Sequence, residues 1–168
     1  GIRNGMILLL NVVTALVIGL LTEQLAVVAV FTLSFMVLRS YTGGYHSDSR
    51  IFCYLGSNLV LLVPVYTQAV FYKTSLAWLL AVLLVSAGII FLLSPMHSKN
   101  RKLDKEEQKH FGRKARLIAA LELAVLGILW HAGQIPYAYA VYTGICITAL
   151  FMLVGKAQLW IQSHTENG

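Results

Sequence analysis

Charged side chains are scarce in this chain. Only 12% of its 168 residues are Asp, Glu, Lys or Arg, where a soluble globular domain carries about 25%. So few polar groups cannot cover the surface of a water-soluble domain, which excludes that class. Acids are scarcer than bases, 7 against 13 Lys and Arg, so the net charge is +6. Nucleic acid would suit that sign, but a hydrophobic content of 58% argues against it, and no nucleic-acid partner is expected. Cysteine is reduced to Cys53 and Cys146, too few for a disulfide framework. Thiols facing the cytosol or the membrane stay reduced. No small-residue cleavage site follows the first apolar run, so no cleavable signal peptide is expected. Internal repeats and low-complexity segments are missing as well.

What the chain does have is six apolar runs: Met6–Leu21, Leu25–Leu38, Ile51–Tyr72, Leu76–Leu93, Leu117–Trp130 and Ile135–Val154. A helix needs about 20 residues to cross the hydrocarbon of a bilayer. The third, fourth and sixth runs approach that length. The others must borrow flanking residues or thin the bilayer, and the second can also be read as re-entrant. The expected fold is therefore an all-α integral membrane protein, a single polytopic domain over residues 1–168 with about six transmembrane helices.

Charge placement gives that fold an orientation. With the N-terminus in the cytoplasm, every Lys and Arg except Lys73 falls on the cytoplasmic side, as the positive-inside rule requires. Tyr72, Trp78, Trp130 and Tyr137 then cluster near the outer interface and Trp160 near the inner one, where such rings belong. The cytoplasmic loops are residues 39–50 and 94–116. The second reads SPMHSKNRKLDKEEQKHFGRKAR. Pro95 ends the fourth span, and the DKEEQKHFGRKAR portion suits a short charged helix with pairs such as Glu106–His110. Two readings stand for this loop. It is a solvated segment that sets topology, or its cations dock an acidic peptide or lipid headgroups.

The first loop and its flank, RSYTGGYHSDSRIFC, gather unusual chemistry between two apolar runs. Gly43 and Gly44 break regular structure. Ser47, Asp48 and Ser49 are good N-caps for the third helix. Cys53 then falls within about its first turn, where the helix end favours a thiolate. His46 stands seven residues earlier. In one unbroken helix the two would lie about 10 Å apart along the axis, too far for a hydrogen bond of about 3 Å. A catalytic pair needs the chain to fold back between them. The competing readings are a solvated histidine with a packing cysteine, or half a metal site. A tetrahedral zinc site needs four ligands, so His97 and His110 would have to join; no metal is expected.

Arg39, Gly43-Gly44, His46 and Cys53, in that order and spacing, resemble the signature of the accessory gene regulator protein B family. The six apolar segments and the basic stretch after the fourth, SPMHSKNRKLD, resemble it too. The resemblance implies a membrane cysteine endopeptidase of Gram-positive quorum sensing, multi-pass in the bacterial cell membrane, with its active site on the cytoplasmic side and no cofactor. Its partner would be a precursor signal peptide with an acidic C-terminal tail, and a homodimer would be expected. His46 and Cys53 would be catalytic. Cys53 would release the tail through a thioester, and an internal thiol or hydroxyl would close a thiolactone or lactone. Family members usually carry a polar or amphipathic segment before the first span, and this chain barely has one.

Weaker candidates surround the pair. Arg39 either holds substrate carboxylates or anchors the second span. Asp48 orients His46 or caps the helix. Ser57 and Asn58 donate to an oxyanion or pack between helices. Glu122 is the one acid well inside an expected span, less than two turns from Arg116, so it can also snorkel to the interface. Lys99, Arg101 and Lys102 are the cations of the second loop best placed to meet an acidic substrate. Gly56, Ser57, Gly127 and Gly144 are small residues suited to close helix packing. Cys146 reads as packing. Two other functions remain: a membrane acyltransferase using His46 and Cys53 without proteolysis, and a small transporter or scaffold. The transporter would pair polar residues across several spans, whereas here the polar cluster sits at one face.

Overall fold

Apolar runs interrupted by short polar breaks leave the backbone few options in a dry environment, and helices satisfy it internally. The computed structural model describes residues 2–42, 50–95 and 105–165. It contains six helices: α1 Ile2–Leu21, α2 Leu25–Thr42, α3 Arg50–Lys73, α4 Leu76–Leu93, α5 Lys105–His131 and α6 Ile135–Thr165. No strand occurs among the described residues. Among the described residues, three helices contain stretches long and apolar enough to cross a membrane: Leu25–Thr42, Leu76–Leu93 and Ile135–Ile161. Leu9–Leu21 is a shorter apolar stretch. The second apolar run is an unbroken helix rather than a re-entrant hairpin.

The helices exceed several of the expected runs. α1 begins at Ile2 and α2 continues through Ser40, Tyr41 and Thr42, which shortens the first loop. The largest correction concerns the second loop. Its DKEEQKHFGRKAR portion is not a separate short helix: from Lys105 onward it is the first half of α5. Similarly, α6 runs on to Thr165. In each case the backbone hydrogen-bond ladder continues past the end of the apolar run, because helix propensity does not require hydrophobicity.

α6 is the axis of the bundle. Of its apolar stretch, 67% is buried, against 17% for α4. α2 lies along α6, and the two divide the interior into halves. Ala15, Val27, Val28, Phe31, Leu61 and Tyr139 lie in one buried cluster, built from α1, α2, α3 and α6. Leu38, Leu83, Ile90, Ala119, Ile145 and Met152 lie in the other, built from α2, α4, α5 and α6. The outward faces carry Leu20, Leu84, Leu92 and Ile128, all strongly exposed. An apolar exterior of this extent calls for an apolar solvent.

Tight turns fix the helix hairpins. Just beyond α5 stands Gly133, whose positive φ of 72° is the left-handed position that closes a helix. Its N–H reaches Trp130 O at 3.1 Å, and Gln134 N reaches Leu129 O at 2.9 Å. The α1–α2 turn makes the same closure with a worse residue: Glu23 adopts φ 57°, where a Cβ is unfavourable. Glu23→Gly is therefore expected to raise stability by about 0.5–1 kcal/mol. Thermal unfolding in detergent micelles checks this, and a lower melting temperature would contradict it.

A buried proline inside α3 lies at its contact with α6. Pro64 cannot donate to the helix ladder and is fully buried. The hydroxyl of Tyr139 on α6 donates to the Pro64 carbonyl at 3.0 Å and lies 2.6 Å from Thr67 Oγ1. This network ties α3 to the central helix.

Candidate active site

The last turn of α2 leads into the loop that carries His46. Helix geometry puts Phe31, Phe35 and Arg39 on one face, at intervals of four. Phe31 and Phe35 stack at 5.9 Å, and Phe35 meets Phe151 of α6 at 5.9 Å. The Arg39 guanidinium carbon then sits 4.8 Å from the centre of the Phe151 ring. For a half-buried cation such a contact is worth about 0.5–2 kcal/mol. Arg39 thus links the second helix to the sixth through this contact.

α5 holds the same end of α2 from the other side. Tyr41 lies 6.4 Å from the Phe111 ring, and Lys114 Nζ lies 5.9 Å from the Tyr41 ring. Thr42, the last residue of α2, is completely buried. The charged first half of α5 is therefore more than a solvated segment, since it packs against the helix end that precedes Gly43. Nearby, Arg116 Nε donates to Phe91 O at 3.1 Å. That carbonyl belongs to the final turn of α4, where carbonyls lack helical partners.

Deeper in the bundle, three helices meet at one polar point. Ser34 Oγ of α2 donates to Glu122 Oε2 of α5 at 2.9 Å. Ser34 is buried and packs directly on Gly144 of α6. A Cβ at Gly144 would stand 2.6 Å from Ser34 Oγ and 3.2 Å from Ser34 Cβ. Glu122 thus has a specific buried partner and does not simply snorkel. Sequence reasoning marked Glu122 and Gly144 separately but missed Ser34, which joins them. A lone serine 88 positions from its acid leaves no local signal.

The remaining candidates fall as follows. Cys53 is the fourth residue of α3, so it lies in the first turn as expected. Ser57 is one turn further along the same helix. Asn58 is partly buried, and its Oδ1 meets no hydrogen-bond donor among the described residues. Gly43, Gly44, His46 and Asp48 lie outside the described residues, as do Lys99, Arg101 and Lys102. Cys146 lies half-buried on α6, beside Ser86 and Tyr142. The structure thus pairs Ser34 with Glu122 inside the bundle and sets Arg39 against Phe151 nearer the end of α2.

Chemically, the described parts form a frame: two fixed helix ends, Thr42 and Arg50, joined by seven residues that include two glycines and a histidine. Comparison with known proteins bears on what the frame holds. No solved structure matches this chain. The chain is similar to the accessory gene regulator protein B of Staphylococcus intermedius, with 26% identity over 156 residues, covering 90% of this chain and 80% of that protein. The model of the family described as accessory gene regulator B matches residues 1–153. With a match of that extent, the chain belongs to the accessory gene regulator B family.

Proposed function

We propose that the protein is a membrane-embedded cysteine endopeptidase that removes the C-terminal tail of a small quorum-sensing precursor peptide and promotes cyclisation of what remains. One observation carries the reading: Cys53 stands in the first turn of α3, directly after a loop that holds His46, in a chain of this family. The positive end of a helix dipole favours the thiolate. Bringing His46 to it requires the chain to fold back between the two, and the sequence supplies Gly43 and Gly44 for such a turn.

The chemistry runs in two stages. Cys53 Sγ attacks the carbonyl that joins the signal segment to the tail, and His46 takes the thiol proton. The carbon–nitrogen bond breaks, His46 returns the proton to the leaving amine, and the tail departs. The signal segment stays on Cys53 as a thioester. A thiol or hydroxyl within the peptide then attacks that thioester, the carbon–sulfur bond breaks, and Cys53 is restored as a thiol. Exchange between thioesters is nearly isoenergetic, so the activation stored in the acyl-enzyme survives if water is kept away. A site at the membrane interface supplies that shelter.

Topology fits this assignment. In the expected six-span arrangement with the N-terminus inside, residues 43–49 and the start of α3 would face the cytoplasm, with every Lys and Arg but Lys73. There Lys99, Arg101 and Lys102 would meet an acidic tail. The Lys109, Arg113 and Lys114 side chains, exposed on α5, extend the same positive field. Asp48 would orient His46.

The test is reconstitution of the protein in vesicles with a synthetic precursor peptide bearing an acidic tail. Tail release and a product mass one water below that of the free signal segment are expected from the wild type. Both should vanish in Cys53→Ala and in His46→Ala. Equal turnover by all three proteins would refute the assignment.

A further inference from the structure

Far from Cys53, four helices enclose a cavity of about 280 Å³. Phe71 of α3, Leu83 of α4 and Ala138 of α6 are buried and form its floor. Leu76 and Leu80 of α4 and Trp130 of α5 are exposed and form its rim. The Phe71 ring meets that of Trp130 edge-on at 6.3 Å, which carries the wall from floor to rim. The cavity thus opens on the outside of the bundle, among the last turns of α3 and α5 and the first turns of α4 and α6. Phe71 stands 18 residues after Cys53 on α3, about 27 Å along the axis. That is close to the thickness of the hydrocarbon, about 30 Å. In a bilayer that α3 crosses, the cavity lies in the leaflet opposite the candidate active site.

Its wall decides what it can hold. The exposed surface inside is apolar throughout. An apolar cavity of about 150 Å³ already stays dry and takes up benzene, so water does not fill this larger one. A peptide is ill suited, because each backbone N–H and C=O taken out of water needs a partner, and the wall offers none. A helix of another protein, about 10–12 Å across, would cover the opening without entering it. The bilayer itself supplies a match: a hydrocarbon chain with no polar group along its length. The headgroup of such a lipid would lie at the level of the α3–α4 turn. There the exposed cation Lys73 stands between the lining residues Phe71 and Leu76, on hand for a phosphate. Gly127 keeps the space open. It lines the cavity, and a Cβ there would meet nothing within 4 Å.

We propose that this cavity is a binding site for one acyl chain of a membrane phospholipid, held between the α3–α4 and α5–α6 hairpins. The chain completes the packing where the protein's own side chains leave a gap, and it ties the two hairpins together on the side of the membrane away from the chemistry.

The experiment reconstitutes the full chain in phosphatidylglycerol vesicles, extracts it into mild detergent and measures its intact mass under native conditions. One retained phospholipid per chain is expected. Gly127→Phe and Leu83→Phe fill the cavity and should lower retention about tenfold or more, since losing only about 60 Å² of apolar contact has that effect. A wild type that retains no phospholipid would overturn the proposal, as would variants that fold and retain as much as the wild type. A dimer that carries no lipid would assign the opening to a second copy and overturn it too. If neither variant folds, fluorescence of the unfilled cavity decides. With Trp78→Phe and Trp160→Phe leaving Trp130 as the single tryptophan, vesicles of lipid brominated on the acyl chain should quench it, and the quenching should survive extraction into detergent. A single tryptophan placed on the exposed face of α1 by Leu20→Trp, with the other three changed to Phe, should recover its emission. Equal recovery at both positions would overturn the site. None of these outcomes bears on the proposed function, which lies at the other end of α3.

Discussion

Cys53→Ala should lower tail release about a thousandfold or more. A nucleophile that forms a covalent intermediate has no substitute among its neighbours, and loss of such a group costs about three to six orders of magnitude in turnover. His46→Ala should approach the same loss, since the two act as one unit and their effects do not add. The double variant should therefore be no slower than Cys53→Ala. Substrate binding should survive, because the anchors that fix the end of α2 lie elsewhere: Arg39 on Phe151, Tyr41 against Phe111. Cys53→Ser is a sharper probe. It keeps the size of the side chain but loses the easily ionised sulfur, and it should be nearly as inactive as Cys53→Ala while binding peptide with unchanged affinity. Measured turnover with a quenched fluorescent precursor, together with equilibrium binding of the uncleaved peptide, separates the two quantities. A Cys53→Ser variant with weakened binding and intact turnover would contradict the assignment.

The second large effect is structural. Gly144→Leu should destabilise the bundle by about 2–4 kcal/mol. Overpacking a close helix crossing costs about 1–3 kcal/mol, and an interhelical hydrogen bond inside a membrane is worth about 0.6–1.7 kcal/mol. Both terms apply at once, because the new side chain occupies the space of Ser34 Oγ, which donates to Glu122. Ser34→Gly distinguishes them. It removes the hydrogen bond alone and should cost about 1 kcal/mol. In that background Gly144→Ala should add little, since the atom it strikes is gone. Denaturant titration in mixed micelles measures these variants, the Gly144→Ala single variant and the wild type. Full additivity between Ser34→Gly and Gly144→Ala would mean that the two positions do not meet.

Much of the helix map was legible in the sequence, and the reason differs by element. α4 matches its apolar run at both ends, because Ser75 and Ser94-Pro95 flank it with residues that stop both helix and hydrophobicity. α3 matches to within one residue at each end. By contrast, the first half of α5 and the last turns of α6 carry charge or amide groups, and hydropathy cannot see a helix that has left the membrane. Their extension matters for the site, since Phe111 and Lys114 reach Tyr41 from that half of α5.

The candidate site was legible where chemistry is concentrated and illegible where it is assembled from afar. Arg39, the glycine pair, His46 and Cys53 stand within fifteen residues, so composition alone draws attention to them. Ser34, Glu122 and Gly144 come from three helices, and nothing in the linear sequence joins them. Tyr139 likewise became meaningful only beside Pro64. What the linear sequence conceals is which lone polar residues share a depth in the bundle, and that is decided by packing rather than by spacing.

The most direct test of the central claim is capture of the acyl-enzyme. A precursor peptide that lacks its ring-closing thiol or hydroxyl should stop on the protein after tail release. Intact-mass and peptide-map measurement should then find Cys53 heavier by the signal segment less one water, in a bond that hydroxylamine cleaves, and the adduct should be absent from His46→Ala. Stoichiometric tail release with Cys53 unmodified, or the adduct on any other residue, would contradict the account.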